Sequence, residues 1–339
     1  MAQESEVVRI ARQYREQLAR NEDAIMRDMA KHWARMERQL YSEYVTLAQQ
    51  MQELSDNGIA IPKQMIYTQR RYIEMMSQID KYLAQFDTYT VQVITDYQRK
   101  DYILGLDDAK AQIKRSMPDA PRWNQVANDT AETMAGFAGN GAPLGDLLRR
   151  DYGDLGERVT DALVTGIGLG KGALAVARDI ENAVSMEYDR ALRIARTETN
   201  RAYRLANAEQ YRKSGVVEKV LRLCYPPTAC LACLELDGEE CPNGICDDHP
   251  NGKCTTIAVT IGGNYPDWQH GHDWLMEQSE EDQRRIIGAE RYELWKNNGI
   301  SLRDMVRMNP NPIWGGSPTI ISVKDLKAQN NIGTGDSPI

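Results

Sequence analysis

The sequence has few histidines, few phenylalanines and no long apolar run. Only 4 histidines and 2 phenylalanines occur among 339 residues, against 16 tyrosines and 6 tryptophans. No apolar stretch approaches the roughly 18 residues that a membrane helix needs. The N-terminus also lacks the basic region and apolar region of a secretory signal peptide. We therefore expect a protein that is soluble and intracellular when it is made, with no membrane contact.

The chain also lacks excess positive charge and a complete catalytic motif. Its 49 acidic and 41 basic side chains give a net charge of −8, which argues against nucleic acid as the main ligand. A local genome contact through an arginine-rich helix such as "DQRRIIGAER" remains an alternative. No H-E-x-x-H motif of zinc hydrolases occurs. The segment "GIGLGKGA" is preceded by Thr165 and contains Gly172, where a P-loop needs glycine and a hydroxyl residue, so it predicts a turn between helices.

Apolar residues recur every three or four positions along the first hundred residues. This spacing places them on one face of a long helix. The clearest stripe consists of Ile25, Met29, Trp33, Met36, Leu40, Tyr44, Leu47, Met51 and Leu54. After the turn residues of "SDNGIAIP", similar patterns over 65–86 and 93–103 predict two further helices. Such helices with short connections are typical of a helical hairpin or an extended bundle.

The chain divides on these patterns into four consecutive regions. Residues 1–115 form a region of long helices expected to bind a partner, and 116–220 form a helical middle domain. Residues 221–265 form a cysteine-rich α+β module between the predicted strands "VVEKVLRL" and "TTIAVTIGG". Residues 266–339 form a helical segment with a disordered tail, "AQNNIGTGDSPI". The predicted fold is thus mainly α, followed by a small α+β module held together by a zinc site.

Two local patterns predict helices in the C-terminal region. Ser279 and Asp282 have the spacing of a helix N-cap and its partner at the third helical position. The segment "SLRDMV" predicts a last short helix before the tail.

All six cysteines lie between residues 224 and 254. Cys230 and Cys233 form a C-x-x-C pair, and His249 and Cys254 form a second close pair after a loop. Two such pairs are the usual sequence form of a tetrahedral structural zinc site. A reducing interior favours metal ligands or free thiols over disulfides. The sequence therefore predicts structural zinc on these four residues.

The other thiols leave alternatives open. Cys241 and Cys246 lie inside the loop, so they are alternative ligands in an all-cysteine site with the C-x-x-C pair. A metal-free C-x-x-C dithiol that forms disulfides outside the cell is a further alternative. A redox-active pair is less favoured, because "LELDGEE" predicts a turn between short strands where a thioredoxin-type site has a helix. Cys224 is expected to be a buried free thiol.

A catalytic role would need other residues. His249, His270, His272 and Asp273 are the candidates for a metal-dependent hydrolase, although histidines in a polar linker are more often simply solvated. Arg196 and Glu198 are two positions apart on a predicted helix and face different directions. We therefore expect this helix to dock on the cysteine-rich module rather than to carry catalytic groups.

The same residues carry a resemblance to a known family. The segments "IARTETNRAYRLANAEQYRKSGVVEKVLRL", "CLACLELDG" and "HPNGKC" resemble the minor head proteins of tailed phages, the Mu F-type head morphogenesis family. The match covers roughly residues 145–260. The matching positions are Arg196, Thr197, Glu198, Cys230, Cys233, Asp237, Gly238, His249, Pro250, Asn251 and Cys254.

This resemblance implies a non-enzymatic component of the phage head. Relatives of this kind are associated with the portal vertex, so the resemblance implies a virion protein that acts in procapsid assembly or in genome packaging and delivery. Its partners would be the portal and other capsid proteins, reached through the N-terminal helices, and it would be in the host cytoplasm during assembly. One departure concerns the metal site: Gly252 and Lys253 stand where the family has Cys and Arg.

Overall fold

The computed structural model describes residues 4–119, 122–149 and 154–332, and this part of the chain is mainly helical, as the sequence predicts. The helices are α1 (Glu6–Asp56), α2 (Lys63–Thr68), α3 (Arg70–Ser116), α4 (Leu144–Arg149), α5 (Leu155–Gly168), α6 (Ala173–Ser214), α7 (Leu231–Glu235), α8 (Gly271–Met276), α9 (Glu280–Ile287), α10 (Ala289–Asn298) and α11 (Val323–Gln329). The strands are β1 (Val217–Leu223), β2 (Thr255–Thr260), β3 (Val306–Asn311) and β4 (Gly315–Ile320). Among the described helices, none has the length and apolarity needed to cross a membrane.

The chain forms two compact units, each assembled from separated segments. The first contains Met1–Arg20, Gln98–Ala135 and Thr197–Ile339, and the second contains Asn21–Tyr97 and Gly136–Arg196. The sequence predicts four consecutive regions instead. The difference arises because α1, α3 and α6 are each long enough to contribute residues to both units. We call the first the module unit and the second the bundle unit.

The bundle unit is held together by the apolar stripe of α1. Eight of its nine predicted members are buried, from Ile25 to Met51, and only Leu54 is half-buried. Trp33 lies between two aromatic rings: its centroid is 5.0 Å from that of Phe86 on α3 and 5.3 Å from that of Tyr188 on α6. The expected long helices and short connections are therefore confirmed, and the turn at "GIGLGKGA" lies between α5 and α6.

Two predicted boundaries in the bundle are wrong. The sequence predicts one helix over 65–86 and another over 93–103, but α2 ends at Thr68 and α3 continues from Arg70 to Ser116. The apolar pattern is interrupted by Asp87 and Thr90, which are polar and buried. Buried polar residues interrupt a hydrophobic stripe without ending the helix, since no glycine or proline lies between Phe86 and Val93.

The module unit contains an antiparallel sheet of β1 and β2, in which Val220 lies opposite Ala258. Side chains of a strand alternate between its two faces. One face packs against the N-terminal turns of α1, and the other packs against the ends of α3 and α6. Every residue of β2 is buried as a result.

Helices α3 and α6 approach each other closely within the module unit. A Cβ on Gly105 would lie 2.3 Å from the carbonyl oxygen of Tyr203 and 2.9 Å from the Cβ of Ala206. The small side chain of Ala206 on α6 and the glycine on α3 therefore allow the two helix backbones to approach closely.

A buried carboxylate lies beside this contact. Asp108 Oδ2 accepts hydrogen bonds from Tyr203 (2.5 Å) and Asn207 (3.0 Å), and Oδ1 accepts one from Gln112 (2.9 Å). Gln112 also bonds to the backbone of β2 at Thr256 and Ala258. This polar group thus fixes the sheet to both helices.

The C-terminal part of the module unit differs from its prediction. The expected helix at "SLRDMV" is a short 3-10 turn, Arg303–Met305, followed by β3. Strands β3 and β4 pair as a hairpin that contains Pro310 and Pro318, and prolines are rare in strands. The expected cap is confirmed, because Ser279 accepts a hydrogen bond from the backbone of Asp282. Part of the expected disordered tail belongs to α11, and residues 333–339 lie outside the described residues.

Candidate metal centre

The C-x-x-C pair lies at the start of a short helix. Cys230 is the N-cap of α7, and Cys233 lies within its first turn. Residues 236–238 of the segment "LELDGEE" form the expected turn, but a helix and not a strand precedes it. The segment forms a helix because Leu231 and Leu234 bury their side chains in the apolar core of the module unit. That core also contains Cys233 and Cys254.

His249 completes a three-residue group with this pair. Its Nε2 lies 3.4 Å from Cys230 Sγ and 3.3 Å from Cys233 Sγ. Its Nδ1 lies 2.9 Å from the carbonyl oxygen of Pro250, which leaves Nε2 directed at the two sulfurs. Sulfur and nitrogen ligands of one tetrahedral zinc ion are about 3.5 Å apart. The group can therefore hold a metal ion.

Cys254 joins the centre through Cys233. The ligand atoms of Cys233, Asp248 and Cys254 all lie within 4.8 Å of one another and are buried. Cys233 is common to this group and to the group with His249. The structure thus places the four residues of the two sequence pairs in two groups that share Cys233, and the second group includes a carboxylate that the sequence did not indicate.

The groups of the metal-free centre perturb one another's pKa values. Hydrogen bonds with Cys233 and His249 lower the pKa of Cys230 to about 4. The hydrogen bond to Cys230 and the nearby Asp248 carboxylate raise the pKa of His249 to about 9. Cys230 thus loses its proton more readily than an ordinary thiol, and thiolates are the form in which cysteines bind metals.

Asp248 holds the second ligand pair in place. Its Oδ1 accepts a hydrogen bond from the backbone of His249 (2.9 Å), and its Oδ2 accepts one from the backbone of Cys254 (3.2 Å). Two guanidinium groups contact the same carboxylate: Arg204 Nη1 is 3.4 Å from Oδ2, and Arg222 Nη1 is 3.8 Å from Oδ1. One carboxylate therefore anchors both ends of the turn 249–254.

Gly252 allows that turn to close over the carboxylate. A Cβ at this position would lie 2.1 Å from Asp248 Cγ and 2.2 Å from Oδ2. Within the same turn, Asn251 has φ 65°, and the Gly252 amide donates to the carbonyl of His249. The space beside residue 252, where the family motif has a cysteine, is filled by Asp248 in this chain.

Cys241 and Cys246 lie apart from the centre. They form a disulfide, with their Cα atoms 4.8 Å apart, among apolar residues of α3, α6 and β1. The sequence predicts reduced thiols or alternative metal ligands at these two positions. The structure has a disulfide there instead, because each sulfur is bonded to the other. Cys224 is free and buried, as expected, and burial raises the pKa of its thiol.

The segment around Thr197 contacts the turn 249–254 and the C-terminal hairpin. Thr197 Oγ1 on α6 accepts a hydrogen bond from the backbone of Asn251 (3.1 Å). Glu198 is fully buried and accepts hydrogen bonds from Trp314 Nε1 (2.7 Å) and Arg201 Nε (2.8 Å). Arg196 is half-buried and is the last residue of the bundle unit. Thr197 thus contacts the cysteine-rich module, as expected for this helix, whereas Glu198 contacts the C-terminal hairpin.

The second family motif organises the segment after α7. Asp237 accepts hydrogen bonds from the backbone of Cys224 (2.7 Å) and Gly271 (3.0 Å) and from Trp268 Nε1 (3.0 Å). Gly238 has φ +84°, and a Cβ there would lie 2.3 Å from the ring of His270. The motif therefore joins three separate parts of the module unit.

The remaining histidines lie outside the centre. His272 Nδ1 is 2.8 Å from Glu235 Oε1, and the ring of His270 packs on Trp268 with centroids 4.4 Å apart. Asp273 is in the first turn of α8. Among the described residues, neither His270 nor His272 belongs to a group of potential metal ligands.

Three residues of the centre were missed from the sequence: Asp248, Arg204 and Arg222. The acidic pair before His249 could have indicated Asp248, because a carboxylate beside a turn often accepts hydrogen bonds from the backbone amides of that turn.

Comparison with protein-family models, curated proteins and solved structures finds no significant match to this chain.

Proposed function

We propose that this chain is a structural protein of the tailed-phage head, a minor head protein whose module unit is held together by one zinc ion. The observation that carries the proposal is the convergence of three separated motifs. Thr197 bonds to the turn that follows His249, and Cys230 and Cys233 face His249 across the centre. Asp237 connects the segment after α7 to Cys224 and Trp268.

Zinc is the metal that these ligands suit best. Thiolate and imidazole donors at tetrahedral spacing are typical of structural zinc sites. Cys230, Cys233, His249 and Cys254 would hold the ion, which would supply cross-linking and no chemistry. Four protein ligands leave no position for a substrate. The polar motif residues support a structural role, because their side chains bond to backbone amides and tryptophans of the module unit.

The portal and other capsid proteins are proposed to bind a surface of the bundle unit. Three apolar side chains near the connection of α1, α2 and α3 are exposed: Ile59 (44%), Tyr67 (42%) and Ile73 (54%). Exposed apolar groups of this kind are common at protein interfaces. We place the protein in the virion, and in the host cytoplasm during assembly, with genome contact as a secondary role.

Co-expression with the portal protein of the same genome tests this function. We expect the two proteins to co-purify, and we expect Ile73→Glu to weaken the complex. Gln85→Glu is the matched control, because it adds the same charge at an exposed position on another face of α3. Absence of the chain from portal complexes and from assembled procapsids would overturn the proposal.

A second candidate is a metal-dependent hydrolase carried in the virion. The observation in its favour is that Cys230, Cys233 and His249 form a three-residue group by themselves, and three protein ligands leave an open position on zinc. In that case Cys254→Ser would retain zinc and hydrolytic activity on DNA or peptidoglycan. Loss of bound zinc in Cys254→Ser would favour the structural site.

A further inference from the structure

Two buried arginines lie directly behind the proposed zinc ligands. Arg204 comes from α6 and Arg222 from β1, and their side chains are 9% and 7% exposed. Burying a guanidinium is costly unless a negative charge or hydrogen-bond acceptors compensate it. Both arginines contact the same carboxylate, Asp248.

One carboxylate does not balance two guanidinium groups. Arg204 also contacts the carbonyl oxygen of Cys254 (3.5 Å), and Arg222 donates to the carbonyl oxygen of Asp247, but carbonyls carry no net charge. The three side chains Arg204, Asp248 and Arg222 therefore leave one positive charge beside the buried sulfurs of Cys233 and Cys254.

A zinc ion on three thiolates supplies the missing negative charge. Three thiolates and a neutral imidazole around a divalent cation carry a net charge of −1. This charge equals the excess on Arg204, Asp248 and Arg222, so the loaded centre and these three side chains are neutral together.

The oxygens of Asp248 are occupied by hydrogen bonds and ion pairs, so they are not placed as metal ligands. Its two oxygens accept the backbone amides of His249 and Cys254, and both face the arginines. Its Oδ1 is 3.9 Å from Cys233 Sγ, farther than His249 Nε2 is from the same sulfur.

We infer that Arg204 and Arg222 are counter-charges that strengthen zinc binding by the three thiolates, and that Asp248 positions both arginines and the metal-binding turn without coordinating the ion. The inference rests on the proposed zinc site and assigns roles to three residues outside its ligand set.

Zinc affinity of the full chain, measured by competition with a chromophoric chelator under reducing conditions, tests these roles. We expect Arg222→Gln and Arg204→Gln to weaken zinc binding about 10- to 100-fold, the usual effect of losing a partner behind a metal ligand. Arg222→Lys restores the charge and should bind within a few-fold of the wild type. Arg307→Gln is the matched control, because the same change falls on an exposed arginine of the module unit.

Asp248→Asn separates a positioning carboxylate from a ligand. Asparagine keeps one acceptor oxygen but loses the charge that faces both arginines, so zinc binding should weaken by no more than about 10- to 100-fold and the ion should still bind. The thiolate-to-cobalt absorption of the Co²⁺-loaded variant should be unchanged. If a glutamine variant fails to fold, the zinc affinities of Arg222→Lys and Asp248→Asn test the two proposed roles instead.

The outcomes are distinct. Loss of the ion in Asp248→Asn, or wild-type affinity in both glutamine variants, overturns this inference while the zinc site stands. A wild-type chain that binds no zinc overturns the proposed site and this inference together.

Discussion

Asp248 and Gly252 occupy one space: a Cβ on Gly252 would lie 2.1 Å from the carboxylate carbon of Asp248. The φ of Gly252 is not in the left-handed region, so the backbone itself would accept a side chain there. Residue 252 must be a glycine because the carboxylate of Asp248 fills the space of a side chain. The carboxylate in turn accepts hydrogen bonds from two backbone amides and pairs with the arginines around it.

This relationship predicts a coupled pair of substitutions. Gly252→Ala should lower the free energy of unfolding by about 1–3 kcal/mol, as overpacking of a tight interior does. Asp248→Ala removes the obstructing group, so the double variant should be more stable than the sum of the two single effects predicts. Urea unfolding of the four proteins measures the coupling, and strictly additive effects would contradict the contact.

Metal removal should loosen one part of the chain selectively. Cys233 and Cys254 belong to the apolar core of the module unit, and structural zinc contributes folding free energy directly. A chelator should therefore increase hydrogen exchange in residues 224–260. The α1 segment from Ile25 to Met51 in the bundle unit should keep its protection. Uniform loss of protection, or none, would contradict a local structural role for the metal.

The buried Asp108 predicts an unusual pH dependence. Burial raises its pKa to about 7, although Tyr203, Gln112 and Asn207 donate hydrogen bonds that lower it. In the unfolded chain the pKa is near 3.9. Between these values the folded state holds a proton that the unfolded state lacks, so stability falls as pH rises.

Comparison with Asp108→Asn isolates this effect from the metal centre. From pH 5 to pH 7 the wild type should lose about 2–3 kcal/mol of stability relative to Asp108→Asn, at about 1.4 kcal/mol per pH unit. Chemical unfolding of both proteins at each pH gives the difference. A constant difference between them would show that Asp108 has an ordinary pKa.

The close contact of α3 and α6 predicts opposite effects for two glycines. Gly105→Ala should destabilise the protein by about 1–3 kcal/mol, because its Cβ would meet the backbone of Tyr203. Gly168→Ala in α5 has nothing within 4 Å and should be neutral or stabilising by up to about 1 kcal/mol. Thermal unfolding compares them, and equal effects would argue against the close packing.

The sequence predicts those parts of the fold in which one residue pattern dominates. The α1 stripe, the strands β1 and β2 and the cap at Ser279 follow from spacing alone. Other parts depend on partners that are distant in sequence. Asp87 and Thr90 are polar but buried, and the hairpin of β3 and β4 forms despite its prolines.

In the candidate metal centre, too, the sequence predicts the local residue pairs but not the partners that are distant in sequence. The two ligand pairs are visible as C-x-x-C and H-x-x-x-x-C, because each pair is local. Arg204 and Arg222 lie on a polar helix and a strand, where an arginine ordinarily faces solvent. Only the fold brings them to Asp248. The glycine at position 252 likewise gives no indication that the carboxylate of Asp248, four residues earlier, fills the space beside it.

Metal content of the purified chain tests the central claim most directly. Under reducing conditions the account predicts one zinc ion per chain by elemental analysis, and loss of that ion in Cys233→Ser, which removes the sulfur common to both ligand groups. Folded wild-type protein that contains no stoichiometric zinc, and that takes up none when zinc is added, would contradict it.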